Sequence, residues 1–102
     1  MLYIVHIAVD EGRADEWETW MEEVHIPDVM MTDCFTRAYL ARDPDKDTPS
    51  RRAYRVLYRA KDRDALQLYE TKHADKLQAE HTERYDGAFE ASRDILPLLV
   101  EF

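Results

Sequence analysis

The spacing of apolar residues divides the chain into segments with the period of a strand and segments with the period of a helix. Residues 2–9 are almost entirely apolar and rich in β-branched side chains, which predicts a buried first strand. From position 13 the period changes, and four apolar side chains fall on one helical face: Trp17, Trp20, Met21 and Val24. Acidic residues take the other face. The chain therefore opens with a strand and an amphipathic helix.

A histidine and a proline follow this helix. Pro27 lacks an amide hydrogen and disfavours helical geometry at the residue before it, so we expect a helix break at His25–Ile26. Because proline suits the first turn of a helix, a short second helix is predicted over residues 27–32. The break leaves the histidine either as a helix cap or as an imidazole at the edge of a site.

Two alternating segments come next. Residues 35–42 and 52–60 alternate in the manner of strands, and Tyr54 and Tyr58 share one face of the second segment. The stretch DPDKDTPS between them predicts a long hairpin loop.

The second half of the chain predicts a helix and a final strand. Asp62 is a suitable N-cap, and helical spacing continues to Tyr85. One unbroken helix of that span would reach about 36 Å, too long to back a small sheet, so we expect a break near Thr71–His73. Residues 89–96 predict the last strand, after which a proline interrupts pairing and the tail predicts a short extension at a sheet edge.

The element order is β-α-β-β-α-β, which predicts one ferredoxin-like α+β domain over residues 1–102: a four-stranded antiparallel sheet with helices on one face. The opposite face of the sheet would carry three aliphatic and two polar side chains: Leu2, Ile4, Leu57, His6 and Arg55. Such a face is too apolar to be left in water. We therefore expect a homodimer through this sheet face, that is, a dimeric α+β barrel.

Composition narrows the class of protein. Of 102 residues, 45% are apolar and 35% charged, with only two glycines, which is typical of a folded domain. The formal net charge of −8 argues against nucleic acids and anionic membranes as partners. Cys34 is the only cysteine, and the apolar opening is too short for a membrane span and lacks signal-peptide features. We therefore expect a cytoplasmic protein.

Segments spread over essentially the whole chain carry a family resemblance. They are LYIVHIAVD at the start, W-x-x-W-M-x-x-V-H-I-P-D-V from Trp17 to Val29, Cys34-Phe35, YRVLY, LYETKHADKLQAEH and Arg93-Asp94-Ile95-Leu96.

These segments resemble an uncharacterised family of domains of unknown function, grouped with the dimeric α+β-barrel proteins of ferredoxin-like fold. The resemblance leads us to expect glycine before the Cys-Phe pair, where this chain has Asp33. An aspartate at a left-handed helix C-cap is possible at some cost. The resemblance carries no activity to transfer. Cofactor-free monooxygenases of the antibiotic-biosynthesis type have barrels of similar shape, but a shared fold does not fix function.

The histidines are the main candidates for chemistry. His25 ends the first predicted helix, whose C-terminus favours a protonated imidazole, and it acts either as an acid–base or anion-binding group or as a cap. A break in the second helix near His73 would allow this residue to approach His25. His73 and His81 are about 12 Å apart along one straight helix, too far to share a metal. His6 lies beside Arg55 and either bonds across the sheet or lines the barrel cavity.

We predict a site in which imidazoles meet aromatic and cationic side chains. The predicted catalytic residues are His25 and His73. The predicted ligand-binding residues are His6, Trp20, Tyr54, Arg55, Tyr58 and His81. The sequence contains no phosphate loop, dinucleotide fingerprint or metal-ligand motif, so neither a cofactor nor a metal is predicted.

Three functions are compatible with these residues. The first is a dimeric barrel that binds a small organic molecule; as an enzyme it would be a cofactor-independent monooxygenase or isomerase with an imidazole as base. The second is a non-catalytic dimerisation module whose histidines and arginines are structural. The third is a metal-binding protein, for which the sequence offers no ligand motif.

Overall fold

A computed structural model describes residues 1–102 as one antiparallel sheet with helices packed on one face. The strands are β1 (Leu2–Asp10), β2 (Phe35–Arg42), β3 (Arg51–Ala60) and β4 (Phe89–Leu96). The helices are α1 (Ala14–Trp20), α2 (Ile26–Met30), α3 (Arg63–Lys72) and α4 (Ala74–Tyr85). The strand order is β2-β3-β1-β4, with β2 and β4 at the edges. The predicted ferredoxin-like α+β fold is confirmed.

The core lies between the helices and one face of the sheet, called here the inner face. Alternate residues of β1 point to it and are buried: Tyr3, Val5, Ile7 and Val9. In the antiparallel register Tyr3 faces Tyr58 and Ile7 faces Tyr54, so β3 adds its aromatic side chains to the same face. Strands present every second residue to one side, so these rings share one face of the sheet. Helices α1 and α3 pack on that face and bury them.

The first helical segment differs from its prediction. The chain does not break at His25–Ile26; residues Met21–His25 form a π-helical turn that runs directly into α2. The amide of Ile26 bonds to the carbonyl of Met21, five residues back. A π-turn brings residues five apart onto one side, and this places the ring of His25 on that of Trp20. Pro27 is accommodated in the first turn of α2, where its missing amide hydrogen matters least.

The second helical segment follows its prediction. Helix α3 ends at Lys72 and α4 begins at Ala74, so the break falls at His73. Asp62 caps α3 by accepting a hydrogen bond from the amide of Ala65 at 2.7 Å. The break lets the two helices follow the sheet instead of projecting beyond it.

The position where the family resemblance suggested glycine has the backbone geometry expected there. Asp33 has a φ of 62°, in the left-handed region, directly after the turn that closes α2. Aspartate tolerates this geometry better than most residues, although glycine would adopt it with less strain.

The outer face of the sheet, away from the helices, carries polar and aliphatic side chains. His6 lies opposite Arg55 in the β1–β3 ladder, as expected, and bonds to Asp94 at 2.8 Å. The tail after β4 forms no further strand, so the predicted edge extension is wrong. The tail instead returns over the outer face, where Glu101 pairs with Arg59. Pro97 at the end of β4 removes the amide hydrogen that a continued ladder would need.

None of the helices combines the length and the apolar character that crossing a membrane would require. The cytoplasmic location stays a prediction.

Candidate functional site

A cavity of about 40 Å³ lies between the inner face of the sheet and the helices. Its walls are mostly apolar and aromatic, with polar side chains from the π-turn, α4 and β4. The polar lining residues are His25, Gln78, His81, Thr82 and Arg93, together with the tyrosines discussed below. A concave, largely apolar space with a few convergent polar groups is the usual form of a small-molecule site.

A hydrogen bond from Trp17 holds His81 in one neutral tautomer. Its ring is buried, with 6% of the residue exposed, and the indole nitrogen of Trp17 donates to its Nε2 at 2.9 Å. Since indole only donates, Nε2 must accept, and the proton of the neutral ring sits on Nδ1. Burial, helped by the nearby His25 and Arg93, lowers the pKa of His81 to about 4. The chain provides no acceptor for the Nδ1 hydrogen.

His25 faces the same cavity. Its ring stacks on Trp20 at 5.1 Å and lies 5.6 Å from the ring of His81, centroid to centroid. Its Nδ1 is buried and has no hydrogen-bond partner. Burial lowers the pKa of His25 to about 4; Asp28 raises it and Arg93 lowers it.

The expected protonation of His25 is therefore wrong. That expectation assumed a helix C-terminus at this residue, where unpaired carbonyls favour a cation. The helix continues through the π-turn instead, so the backbone carbonyls stay within the helical ladder and desolvation decides the protonation state.

A cluster of tyrosines closes the cavity on the side toward α3. Tyr3, Tyr58 and Tyr69 line it, and burial raises the pKa of each hydroxyl. Arg93 and Gln78 lie near the Tyr3 hydroxyl and act against that rise. At neutral pH the tyrosines are hydrogen-bonding, uncharged walls.

Arg93 lies at the exposed side of the cavity. It stands opposite Val5 in the β1–β4 ladder, so its side chain leaves the inner face of an edge strand. It is the one charged side chain among the lining residues. The cavity thus combines a cation at its mouth with two neutral imidazoles inside.

The structure brings together only part of the predicted site. His25, His81 and Tyr58 line the cavity, and Trp20 contacts both imidazoles, 5.7 Å from the ring of His81. Tyr54 is on the inner face, but its hydroxyl bonds to Glu18 away from the cavity.

Three predicted residues lie elsewhere. His6 and Arg55 are on the outer face, where the alternation of β1 and β3 places them, so the sheet separates them from the imidazole pair. His73 sits at the break between the helices, with its ring 6.4 Å from that of Tyr69, and does not line the cavity. The approach of His73 to His25, which a helix break at His73 made possible, does not occur, and the ring next to His25 is that of His81, two helical turns further along α4.

Sequence reasoning missed Arg93, Gln78 and the bond from Trp17 to His81. The alternation Phe89, Ala91, Arg93 in the last strand was a usable signal, because it places the arginine on the same face as two apolar residues.

Comparison with known proteins gives a family and a fold. The model of the domain of unknown function DUF4286 matches residues 1–99. Among curated proteins no match was found.

Three solved structures that share the fold are distant from this chain in sequence. HapK from Hahella chejuensis is 18% identical over the full length of both chains, with a TM-score of 0.63. A variant of SnoaB, a cofactor-independent oxygenase from Streptomyces nogalater, is 17% identical over 97% of this chain and 95% of that one, with a TM-score of 0.63. An ethyl tert-butyl ether D family protein from Bacillus halodurans is 10% identical over 95% of this chain and all of the other, with a TM-score of 0.62.

Proposed function

Since the chain belongs to the DUF4286 family of domains of unknown function, its role has to come from its own residues, and we propose that it binds a small organic molecule beside His25 and His81. The observation that supports this most directly is that His25 lines the cavity while its buried Nδ1 has no hydrogen-bond partner in the chain. A buried polar atom without a partner costs about 1–3 kcal/mol. A ligand that bonds to it would recover that free energy.

The two imidazoles would play different parts in binding. His81 offers an N–H donor, because Trp17 occupies its other nitrogen. His25 has a nitrogen free to accept a hydrogen bond or a proton. The pair would therefore recognise a ligand that has both an acceptor and a donor on one edge.

A catalytic form of the same proposal is a cofactor-independent monooxygenase or isomerase. SnoaB, which shares the fold, is described as a cofactor-independent oxygenase. With its pKa lowered to about 4, His25 would be a weak base and would take a proton only from an acidic position of a bound molecule. The protein would contribute that proton transfer and the exclusion of water.

Thermal-shift screening with a matched histidine pair tests the binding proposal. At about ten times Kd, a cavity ligand should raise the Tm of the native protein by about 7 °C. The His25→Asn variant should lose this response, because it lacks the ring against Trp20. The His73→Asn variant should keep it, since His73 is outside the cavity. Ligands that stabilise both variants equally would contradict a site at His25.

A second candidate function is assembly into a homodimer through the outer face, and a specific charge pattern favours it. Arginines stand on β2 and β3, namely Arg37, which has no carboxylate partner, and Arg55 and Arg59, which pair with Asp43 and Glu101. Glu90 and Asp94 stand on β4 at the other edge. A two-fold axis parallel to the strands would set the basic half of one copy over the acidic half of the other. The aliphatic side chains between them would supply the apolar centre of the interface.

Sedimentation velocity with two leucine variants tests this dimer. The native chain should sediment as a dimer at micromolar concentration. Leu57→Lys, which places a charge at the centre of the outer face, should be monomeric. Leu68→Lys is the control, because Leu68 is exposed on a helix, and it should stay dimeric. A native chain that remains monomeric at about 1 mM would overturn the proposal.

A further inference from the structure

The charges of the residues that line the cavity indicate which chemical class of ligand would bind there. Arg93 is the one charged lining residue, and both imidazoles are uncharged at neutral pH. The tyrosines are uncharged as well, because burial raises their pKa. The only formal charge on the cavity wall is therefore positive, although the chain as a whole carries a net charge of −8.

Arg93 also differs from most of the arginines around it. Five of the seven strand arginines form an ion pair with a carboxylate of the chain: Arg42, Arg51, Arg52, Arg55 and Arg59. The two without such a pair are Arg37 and Arg93, and only Arg93 lines the cavity. In a chain with 22 acidic residues, no carboxylate lies within ion-pair distance of this guanidinium.

This inference rests on the proposed ligand binding: we propose that the ligand is a small organic carboxylate whose acid group pairs with Arg93, while the other end of its flat, mostly apolar body presents a polar edge to His25 and His81. A guanidinium presents two parallel N–H groups that match a carboxylate. The aromatic and aliphatic walls, including Tyr58 and Phe89, suit a planar hydrocarbon body.

Arg93 is placed where movement of its side chain would open the cavity to a ligand, in addition to binding one. At about 40 Å³ the cavity is smaller than the 150 Å³ or so that accepts a benzene ring. Arg93 and Ala91 are exposed on an edge strand, and Gln78 is half-buried on α4. A long arginine side chain can swing outward there without disturbing the core, so a ring can enter beside it.

Matched pairs of acid and amide test the proposal. The probes are benzoate, 4-hydroxybenzoate and indole-3-carboxylate, each compared with its primary amide, which has a similar shape and no charge. Binding is followed by NMR, through the ring protons of His25 and His81, so that only ligands in the cavity are counted. At least one acid should bind about tenfold or more tightly than its amide.

Two arginine variants complete the test. Arg93→Gln should raise the Kd of the acid about tenfold and leave the Kd of its amide unchanged. Arg37→Gln, on the outer face, should change neither Kd. Thermal unfolding of both variants verifies that they fold. Amides that bind as tightly as acids, or an acid that binds Arg93→Gln as well as the native chain, would overturn this inference while leaving ligand binding in place. Failure of every acid and every amide to shift either imidazole would overturn both proposals.

Discussion

Replacing Trp17 with alanine is expected to lower the free energy of unfolding by about 3–5 kcal/mol, the largest effect of any single change discussed here. The side chain is fully buried, and its ring lies 4.6 Å from that of Tyr54, centroid to centroid. Its removal leaves a large cavity and strips the buried Nε2 of His81 of its donor. Because small domains are stable by about 5–15 kcal/mol in total, such a variant is close to unfolding.

Urea denaturation followed by far-UV circular dichroism measures this loss. Trp17→Phe is the matched control, since it keeps an aromatic ring but has no N–H to donate. Its free energy of unfolding should fall by about 1–3 kcal/mol. The additional loss in Trp17→Ala then measures the packing of the ring. A loss below about 1 kcal/mol for Trp17→Ala would contradict the central position of this ring in the core.

Acidification from pH 7 to pH 5 is expected to lower stability through the two cavity imidazoles. Both have a folded pKa of about 4, below the value of about 6.5 in an unfolded chain. Between these values the unfolded state binds more protons, so stability falls as the pH is lowered through this window. The loss is about 2 kcal/mol for each imidazole between pH 7 and pH 5.

The window above pH 5 separates this effect from that of carboxylates. The pKa values of Glu11 and Glu16 are lowered by their arginine partners, so both stay ionised there. The measurement is urea denaturation at half-unit steps of pH. His25→Asn should remove about half of the pH dependence, and His73→Asn should leave it intact. Equal stability of the native chain at pH 7 and pH 5 would show that the imidazoles are not desolvated.

The elements of this fold were predictable because they depend on local chemistry. The alternation around Tyr54 and Tyr58 identified β3 and its buried face, and the capping side chain of Asp62 marked the start of α3. The length argument placed a break near Thr71–His73, and the break occurs at His73. Each of these features follows from the periodicity of a short segment or from one side chain acting on its own backbone.

The composition of the site was only partly predictable. The π-turn that lays His25 on Trp20 has no clear sequence signature, since Pro27 indicates a disruption but not its form. His73 and His81 belong to the same helical segment, and nothing local says which one meets His25. That depends on how α4 lies across the sheet, which many distant contacts decide together.

The sequence by itself determined the order of strands and helices along the chain and the two faces of β1 and β3, because these are set by the spacing of apolar side chains. The family resemblance pointed to the left-handed residue at Asp33. Only the tertiary structure decided which polar groups share a cavity. It paired His25 with His81, brought Arg93 to the mouth and left His6 and Arg55 across the sheet. The physical reason is that proximity between residues far apart in sequence comes from the docking of whole elements, which no short pattern encodes.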